Sequence, residues 1–188
     1  MKLHRIFIWM VAAILLISCT AQEDREQLQV NRNRVTPSPK TIILDENFQI
    51  AVGQTIYVPI YSHIYHQDEK KTFDLAATLS IRNTDFDNPI AIASVKYYDW
   101  NGKLVKNYLE QPIEIAALSS TDFFVNTSDR SGGSGAKFIV EWVAQTSVSE
   151  PIVEAIMIGT GFQQGISFVS PGKVIENHHN SQPENPNQ

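Results

Sequence analysis

Period-two alternation of apolar and polar residues runs through the middle of this 188-residue chain and most constrains what it can fold into. From Phe73 to Asn83, apolar side chains occupy every second position as far as Ile81, with mostly polar side chains between them. Such alternation is typical of a strand with one face in a core. Gln54 to Tyr65 has the same period and is interpreted as one long strand. No stretch shows a convincing amphipathic helix, so we expect an all-β protein.

Turn signals recur about every ten residues between these segments and favour short antiparallel strands. Asn101-Gly102 predicts a two-residue hairpin turn, because both residues tolerate positive φ. Val153 to Ile158 is almost wholly apolar and predicts a central strand buried on both faces. About eight strands of this kind predict an antiparallel β-sandwich of immunoglobulin-like architecture. The Cys…Trp…Cys spacing of true immunoglobulin domains is missing, so this likeness is architectural only.

The beginning of the sequence reads as a bacterial lipoprotein export signal. Lys2 and Arg5 precede an uncharged apolar run, Ile6 to Ile17, which ends in Leu-Ile-Ser before Cys19. The run is about a dozen residues, whereas a membrane-spanning helix needs about 20. We therefore expect cleavage before Cys19 and lipidation of its thiol with acyl chains such as palmitate, which would hold the protein on a membrane. The alternative is an ordinary secretory signal in which Cys19 is incidental.

The cysteine count and the charge narrow the class of protein further. With Cys19 the only cysteine, no intramolecular disulfide can form, and stability must come from the core. The net charge is −5, and removal of a signal that holds two of the fifteen basic residues and none of the twenty acidic ones would leave −7. We expect no nucleic-acid partner, because such binding rests on neutralising phosphates.

Composition predicts four regions. Residues 1–18 are the predicted lipoprotein signal peptide, and the polar residues 19–40 are a predicted lipid anchor and flexible tether. Residues 41–175 are the predicted β-sandwich domain. Residues 176–188 contain Asn, His, Gln and Pro without a further apolar residue, and predict a disordered tail.

Several stretches together resemble a bacterial family of predicted exported lipoproteins that is known only as a domain of unknown function. The likeness covers most of Phe48 to Ile175. It implies a place in the bacterial envelope and no activity, substrate or catalytic residue. The stretches that carry it are Ile81-Arg82-Asn83-Thr84-Asp85, Tyr97-Tyr98-Asp99 with Gly102, Gly132-Gly133-Ser134-Gly135-Ala136-Lys137-Phe138, Glu154-Ala155-Ile156-Met157-Ile158-Gly159-Thr160 and Gln164-Gly165-Ile166-Ser167-Phe168.

One face of the first long predicted strand is rich in rings and is the candidate recognition surface. It carries Tyr57, Tyr61, His63 and Tyr65. Pro59 lies among them and cannot donate to a sheet ladder, which predicts an edge strand. Tyrosine is favoured at interfaces because it brings a large rigid body and a polar tip. The alternative is that these rings pack beneath a loop or against the next strand.

Metal ligation and catalysis have little support in the sequence, and we expect no cofactor. Asn83 to Asn88 offers several side-chain oxygens, but Ca²⁺ needs six to eight, and such residues also favour turns. His63 and His66 would point to opposite faces of a strand, while His178 and His179 lie in the predicted tail. No Gly-x-Ser-x-Gly nucleophile motif occurs.

Three functions remain open from the sequence. The favoured hypothesis is a non-enzymatic adaptor, lipid-anchored outside the cytoplasm, that binds another protein of the bacterial envelope. The second is a module that binds a small ligand or carbohydrate through the tyrosine-rich face. The third is a hydrolase whose site has no recognisable signature.

Overall fold

Strands make up nearly all the regular structure in the computed structural model, which describes residues 39–161 and 164–179. There are thirteen strands and one short 3₁₀ helix, Gly133–Gly135, in these residues. The strands are β1 (Lys40–Thr41), β2 (Val52–Ile60), β3 (His63–His66), β4 (Asp68–Asp74), β5 (Ala76–Arg82), β6 (Ile90–Tyr98), β7 (Leu104–Asn107), β8 (Ile113–Ile115), β9 (Ser120–Val125), β10 (Ala136–Ala144), β11 (Ile152–Gly161), β12 (Gln164–Pro171) and β13 (Lys173–His179). The predicted signal peptide, Cys19 and most of the predicted tether lie outside the described residues.

The strands form three antiparallel sheets. The large sheet has seven strands in the order β1-β8-β6-β10-β2-β13, with β7 also paired to β6. The small sheet has four strands in the order β12-β11-β5-β9. The third is the β3–β4 hairpin. The large and small sheets are open, and they share one apolar core between them, so the predicted antiparallel β-sandwich is confirmed.

The core is filled by the inward-facing side chains of both layers. The large sheet contributes its bulkiest members, Trp142, Tyr97 and Phe138, all fully buried. The small sheet contributes smaller side chains, including Leu79 and Met157. Burial of this apolar surface is the main stabilising contribution available to a chain that cannot form a disulfide.

The two long predicted strands are each interrupted, which is one reason why the strand count exceeds eight. Ser62 ends the run that begins in β2, because its N–H and its Oγ both donate to the carbonyl of Gly133, at 3.1 and 3.0 Å. Leu75 separates β4 from β5, and its N–H donates to the carbonyl of Ser62 at 3.0 Å. The β3–β4 hairpin therefore leaves the sandwich at Ser62 and rejoins it at Leu75.

The folded domain continues past its predicted end. β13 pairs with β2 from Lys173 to His179, so residues 176–179 belong to the large sheet and not to a disordered tail. Within this segment the His178 Nε2 atom lies 2.8 Å from the Thr55 hydroxyl oxygen. Residues 176–179 are all polar, and they can form this part of the strand because backbone pairing with β2 requires no apolar side chain. Residues 180–188 lie outside the described residues.

Pro59 lies where β2 has a partner on one side only. β10 pairs with β2 along its full length, including Lys137 opposite Pro59, whereas β13 pairs with it only as far as Tyr57. The strand as a whole is therefore interior to the sheet, not an edge strand as predicted. The missing N–H of Pro59 is tolerated because the pairing with β13 has already ended there.

The predicted two-residue turn at Asn101-Gly102 is longer than expected. β6 ends at Tyr98 and β7 begins at Leu104. The Asp99 carboxylate accepts hydrogen bonds from the N–H groups of Asn101 and Lys103, and it organises the whole connection. Gly102 alone adopts positive φ there, at 81°.

Candidate interaction surface

The residues of the predicted recognition surface lie in three different settings. Tyr57 is half-buried on the outer face of the large sheet, where it pairs with Ile139. Tyr61 follows the end of β2, and its ring packs edge-on against Phe168 at 6.1 Å between centroids. The bend at Ser62 interrupts the strand that would have aligned these rings, so Tyr57 does not share a strand face with the others.

His63 and Tyr65 share one face of the β3–β4 hairpin. Their rings meet edge-to-face with centroids 5.7 Å apart. They lie opposite Asp74 and Thr72 of β4. Arg130 contacts both of these residues, with Nε 3.1 Å from the Asp74 carboxylate and Nη2 2.7 Å from the Thr72 hydroxyl. The sequence predicted that the rings of His63 and Tyr65 share a face. It did not predict Arg130, which lies in the connection between β9 and β10.

The outer face of the small sheet carries exposed apolar side chains on three of its four strands. β11 alternates, with Val153, Ala155 and Met157 buried and Ile152, Ile156 and Ile158 exposed on the other face. The prediction that Val153 to Ile158 is buried on both faces is therefore wrong. In the described part of the chain, no layer covers the outer face of this sheet.

Strand register brings exposed apolar side chains of β9, β11 and β12 into one row, with Thr78 of β5 between them. Phe124 of β9 lies opposite Thr78 of β5, Thr78 lies opposite Ile156 of β11, and Ile156 lies opposite Val169 of β12. Phe124 and Val169, at the two ends of the row, are 52% and 54% exposed. We call the exposed residues Phe124, Ile152, Ile156, Ile158 and Val169 the apolar face.

Charged groups border the row of Phe124, Ile156 and Val169 and separate it from Ile152. Arg82 and Glu154 form an ion pair at 3.5 Å on adjacent strands, and Asp122 lies opposite Ser80 in the neighbouring row. Solvent screens such a pair, which contributes little to stability. Exposed apolar patches with a polar rim are typical of interaction sites.

The outer face of the large sheet has a different character. Lysines flank its half-buried rings, with Lys96 opposite Ile139 and Lys173 opposite Tyr57. Lys96 also lies 3.7 Å from Glu141 in an exposed ion pair. Because a charged face is already well solvated, it gains less from being covered than the apolar face of the small sheet.

A groove of about 890 Å³ lies between the β3–β4 hairpin and the paired strands β11 and β12. Its apolar lining includes Ile64, Phe73 and Ile166, and His66 and Lys71 supply polar groups. The volume is in the range of small-molecule sites. None of the predicted tyrosines lines it.

Two glycines of β11 position the Phe73 ring in this groove. A Cβ atom on Gly159 would collide with Phe73 Cε1, and one on Gly161 would lie 2.9 Å from Phe73 Cε2. Only glycine leaves room for the ring at these positions, so the pair fixes where the hairpin packs against the small sheet.

The acidic loop Asn83 to Asn88 is organised by its own hydrogen bonds. Asp85 Oδ1 accepts from the N–H groups of Asp87 and Asn88 at 3.0 and 2.8 Å, and Oδ2 accepts from the Ser149 N–H at 2.9 Å. The Ser149, Asp87 and Asn88 donors lower the pKa of Asp85 to about 2. The carboxylate thus joins two loops and is occupied by protein donors.

The described residues show neither a cluster of metal ligands nor a membrane-spanning helix. These residues contain no cluster of three or more His, Cys, Asp or Glu side chains that could hold a metal ion. Residues 39–161 and 164–179 include no helix long and apolar enough to cross a membrane.

The chain belongs to the family described as proteins of unknown function, DUF3124, whose profile matches residues 53–175. The resemblance to an uncharacterised family is thereby confirmed. No curated protein matches the chain. A solved structure, titled the crystal structure of Thermotoga maritima 1070, is similar over 64% of this chain and 92% of that chain, with 12% identity and a TM-score of 0.42.

Proposed function

We propose that this chain is a lipid-anchored lipoprotein of the bacterial envelope that acts as a non-enzymatic adaptor for another envelope protein. The anchor is the lipid on Cys19, and the domain lies outside the cytoplasm. The apolar face of the small sheet is the observation that carries the adaptor role. It replaces the tyrosine-rich strand face as the favoured binding surface, because its residues share one face of one sheet.

The chemistry of the apolar face defines the partner. A flat surface with aliphatic side chains and one aromatic ring fits an apolar patch of similar extent on another protein. The chain has a net charge of −5, and Asp122 and Glu154 lie beside the row that contains Ile156. A partner with basic residues around its apolar patch would therefore be favoured.

In-cell photo-crosslinking tests the adaptor role on the full chain in its own membrane. A photoreactive residue in place of Ile156, on the central strand β11, should yield a discrete protein adduct. The matched control replaces Ile139, a half-buried isoleucine on the outer face of the large sheet. Ile156→Lys should weaken capture of the crosslinked protein, whereas Ile139→Lys should not. Adducts no more specific at Ile156, Ile158 and Val169 than at Ile139 would contradict the adaptor role.

The lipid anchor has an independent test. Mass spectrometry of the mature N-terminal peptide should show that it begins at Cys19 and carries a diacylglyceryl group. Cys19→Ser should release the protein from the membrane or block its processing, while Ser18→Ala, which keeps a small residue before the cut, should preserve the anchor. A mature chain with an unmodified Cys19 would contradict this part of the proposal.

The groove between the β3–β4 hairpin and the small sheet favours a second candidate function, a small-ligand or carbohydrate-binding module. Calorimetry of the full chain against a glycan panel tests it. Ile166→Trp, which fills the groove, should abolish binding of any glycan found. Ile152→Trp, on the outer face of the small sheet, should leave it unchanged. Equal effects of the two variants would argue against the groove.

A further inference from the structure

β12 is the free edge of the small sheet. It pairs with β11 through eight residue pairs, from Gly161 opposite Gln164 to Glu154 opposite Pro171. On its other side it has no strand neighbour within residues 39–161 and 164–179. In an antiparallel pair, every second residue points its N–H and C=O away from the partner strand. β12 therefore presents a row of backbone donors and acceptors that another strand could pair with.

β12 also lacks the charged side chains that are found on most exposed edge strands. Its sequence, Gln-Gly-Ile-Ser-Phe-Val-Ser-Pro, contains no Asp, Glu, Lys or Arg. The other edge strands of more than four residues in the described structure all contain such residues, including Asp122 in β9, Lys173 and Glu176 in β13, and Lys70 in β4. Charged side chains are a common means by which proteins prevent edge-to-edge pairing. Their absence from β12 marks it as the edge that is open to pairing.

We propose that β12 pairs antiparallel with β12 of a second copy of this chain, forming a symmetric dimer. In a twofold pair, residues near the middle of a strand lie beside their own equivalents, so any charge there would meet a like charge. β12 avoids this conflict. Ser167, near the middle of the strand, is exposed and small enough to lie beside its own equivalent.

Pairing of this kind would also cover apolar surface at the edge. Val169 and Ile166 of β12 are 54% and 40% exposed in the single chain. With the axis at Ser167, the second β12 would place its Phe168 beside Ile166 on one face of the sheet and its Gly165 beside Val169 on the other, and an aromatic–β-branched pair such as the first stabilises a sheet. Two four-stranded sheets would become one sheet of eight strands, with the two apolar faces continuous across the axis.

Within the small sheet, the charged side chains lie toward the Pro171 end of β12. Arg82 and Glu154 form their ion pair in the part of the small sheet where Pro171 lies opposite Glu154. A dimer axis near Ser167 leaves this pair away from the centre of the new ladder. A strand from a different protein could satisfy the same backbone groups, and a single-copy protein in the test below would point to that occupant.

Light scattering of the purified full chain in a mild detergent measures the number of copies per particle. We expect two copies, with a dissociation constant raised about tenfold or more by Ser167→Lys, which corresponds to about 1.4 kcal/mol or more. Ser167→Thr should preserve the dimer. The matched control is Ser120→Lys, because Ser120 is an exposed serine on the opposite edge strand of the same sheet, β9.

Crosslinking in membranes gives a second measurement that does not depend on detergent. Ser167→Cys should form an oxidant-induced dimer through Cys at 167 on both copies, identified by mass spectrometry of the linked peptide. Ser120→Cys should give no more dimer than the unsubstituted chain, which measures any crosslink through Cys19.

Two outcomes would overturn the dimer. One is a single copy per particle at concentrations of tens of micromolar. The other is a crosslinking yield for Ser167→Cys no greater than for Ser120→Cys. The adaptor role is separable from the dimer, because Ile156→Lys should weaken capture of the partner and leave two copies per particle.

Discussion

The indole Nε1 of Trp142 donates a hydrogen bond to Gln54 Oε1 at 3.2 Å, and both side chains are buried. The Gln54 amide nitrogen in turn lies 2.8 Å from the Glu150 carboxylate and 3.3 Å from Asn177 Oδ1. Gln54 therefore links the largest core side chain to the loop before β11 and to the last part of β13. These hydrogen bonds join β2, β10, β13 and the loop before β11.

Replacing Gln54 with leucine should destabilise the fold by about 1–3 kcal/mol, because the buried indole N–H of Trp142 loses its acceptor. Urea unfolding followed by tryptophan fluorescence measures the change. Gln145→Leu is the matched control, since Gln145 is exposed in the loop after β10. Equal midpoints for the two variants would show that the buried hydrogen bond contributes nothing measurable.

Asp85 should make stability dependent on acid pH. Because the pKa of Asp85 is about 2 in the folded chain and near its ordinary value of 3.8 in the unfolded chain, its contribution is present above about pH 4 and is lost as pH falls toward 2. Asp85→Asn should lower the free energy of unfolding at pH 7, and its difference from the unsubstituted chain should shrink toward pH 2. Urea titrations across this range measure it, with Asp87→Asn as control. A difference that stays constant from pH 7 to pH 2 would contradict this role for Asp85.

The end of β13 should be needed for full stability. A chain that ends after Ile175 loses the pairing of residues 176–179 with β2 and the contacts of Asn177 and His178. We expect a lower thermal midpoint than for a chain that ends after Asn180. Slow amide hydrogen exchange at residues 176–179 in the full chain is the companion observation, and fast exchange there would argue against the pairing.

Gly159→Ala should disturb the packing of the β3–β4 hairpin. The added methyl group would collide with the Phe73 ring, and overpacking of this kind typically costs about 1–3 kcal/mol. Gly165→Ala is the control on the paired strand, because the nearest atom to a Cβ there is the Gly159 carbonyl oxygen at 3.9 Å. Thermal unfolding of the two variants compares them directly, and equal midpoints would mean that Phe73 moves without cost.

Alternation in the sequence predicted the faces of individual strands well where one face meets the core. The prediction for Phe73 to Ile81 placed Leu75, Leu79 and Ile81 on one face, and all three are fully buried. The same reasoning failed for Val153 to Ile158, where apolar residues occupy both faces. Apolarity on both faces does not reveal which neighbours cover them, and in the described structure only one face of β11 is covered.

The candidate site was harder to predict than the fold. Tyr57, Tyr61 and Tyr65 share a period in the sequence, but the bend at Ser62 interrupts their strand. The apolar face joins Phe124 to Val169 across four strands, and no local pattern connects those positions. The apolar run in β11 was the sequence signal for this face. It would have predicted the face if Ile156 and Ile158 had been assigned to solvent and not to a second core.

By itself, the sequence determined the β class, the approximate strand segments and the alternation of their faces, because these follow from side-chain periodicity within a few residues. The tertiary structure decided which strands are neighbours, where the chain leaves a sheet and which apolar face remains uncovered. These depend on contacts between distant residues, such as the Ser62 hydroxyl and the Gly133 carbonyl, 71 positions apart. Such contacts leave no local pattern, because their partners meet only when the sheets assemble.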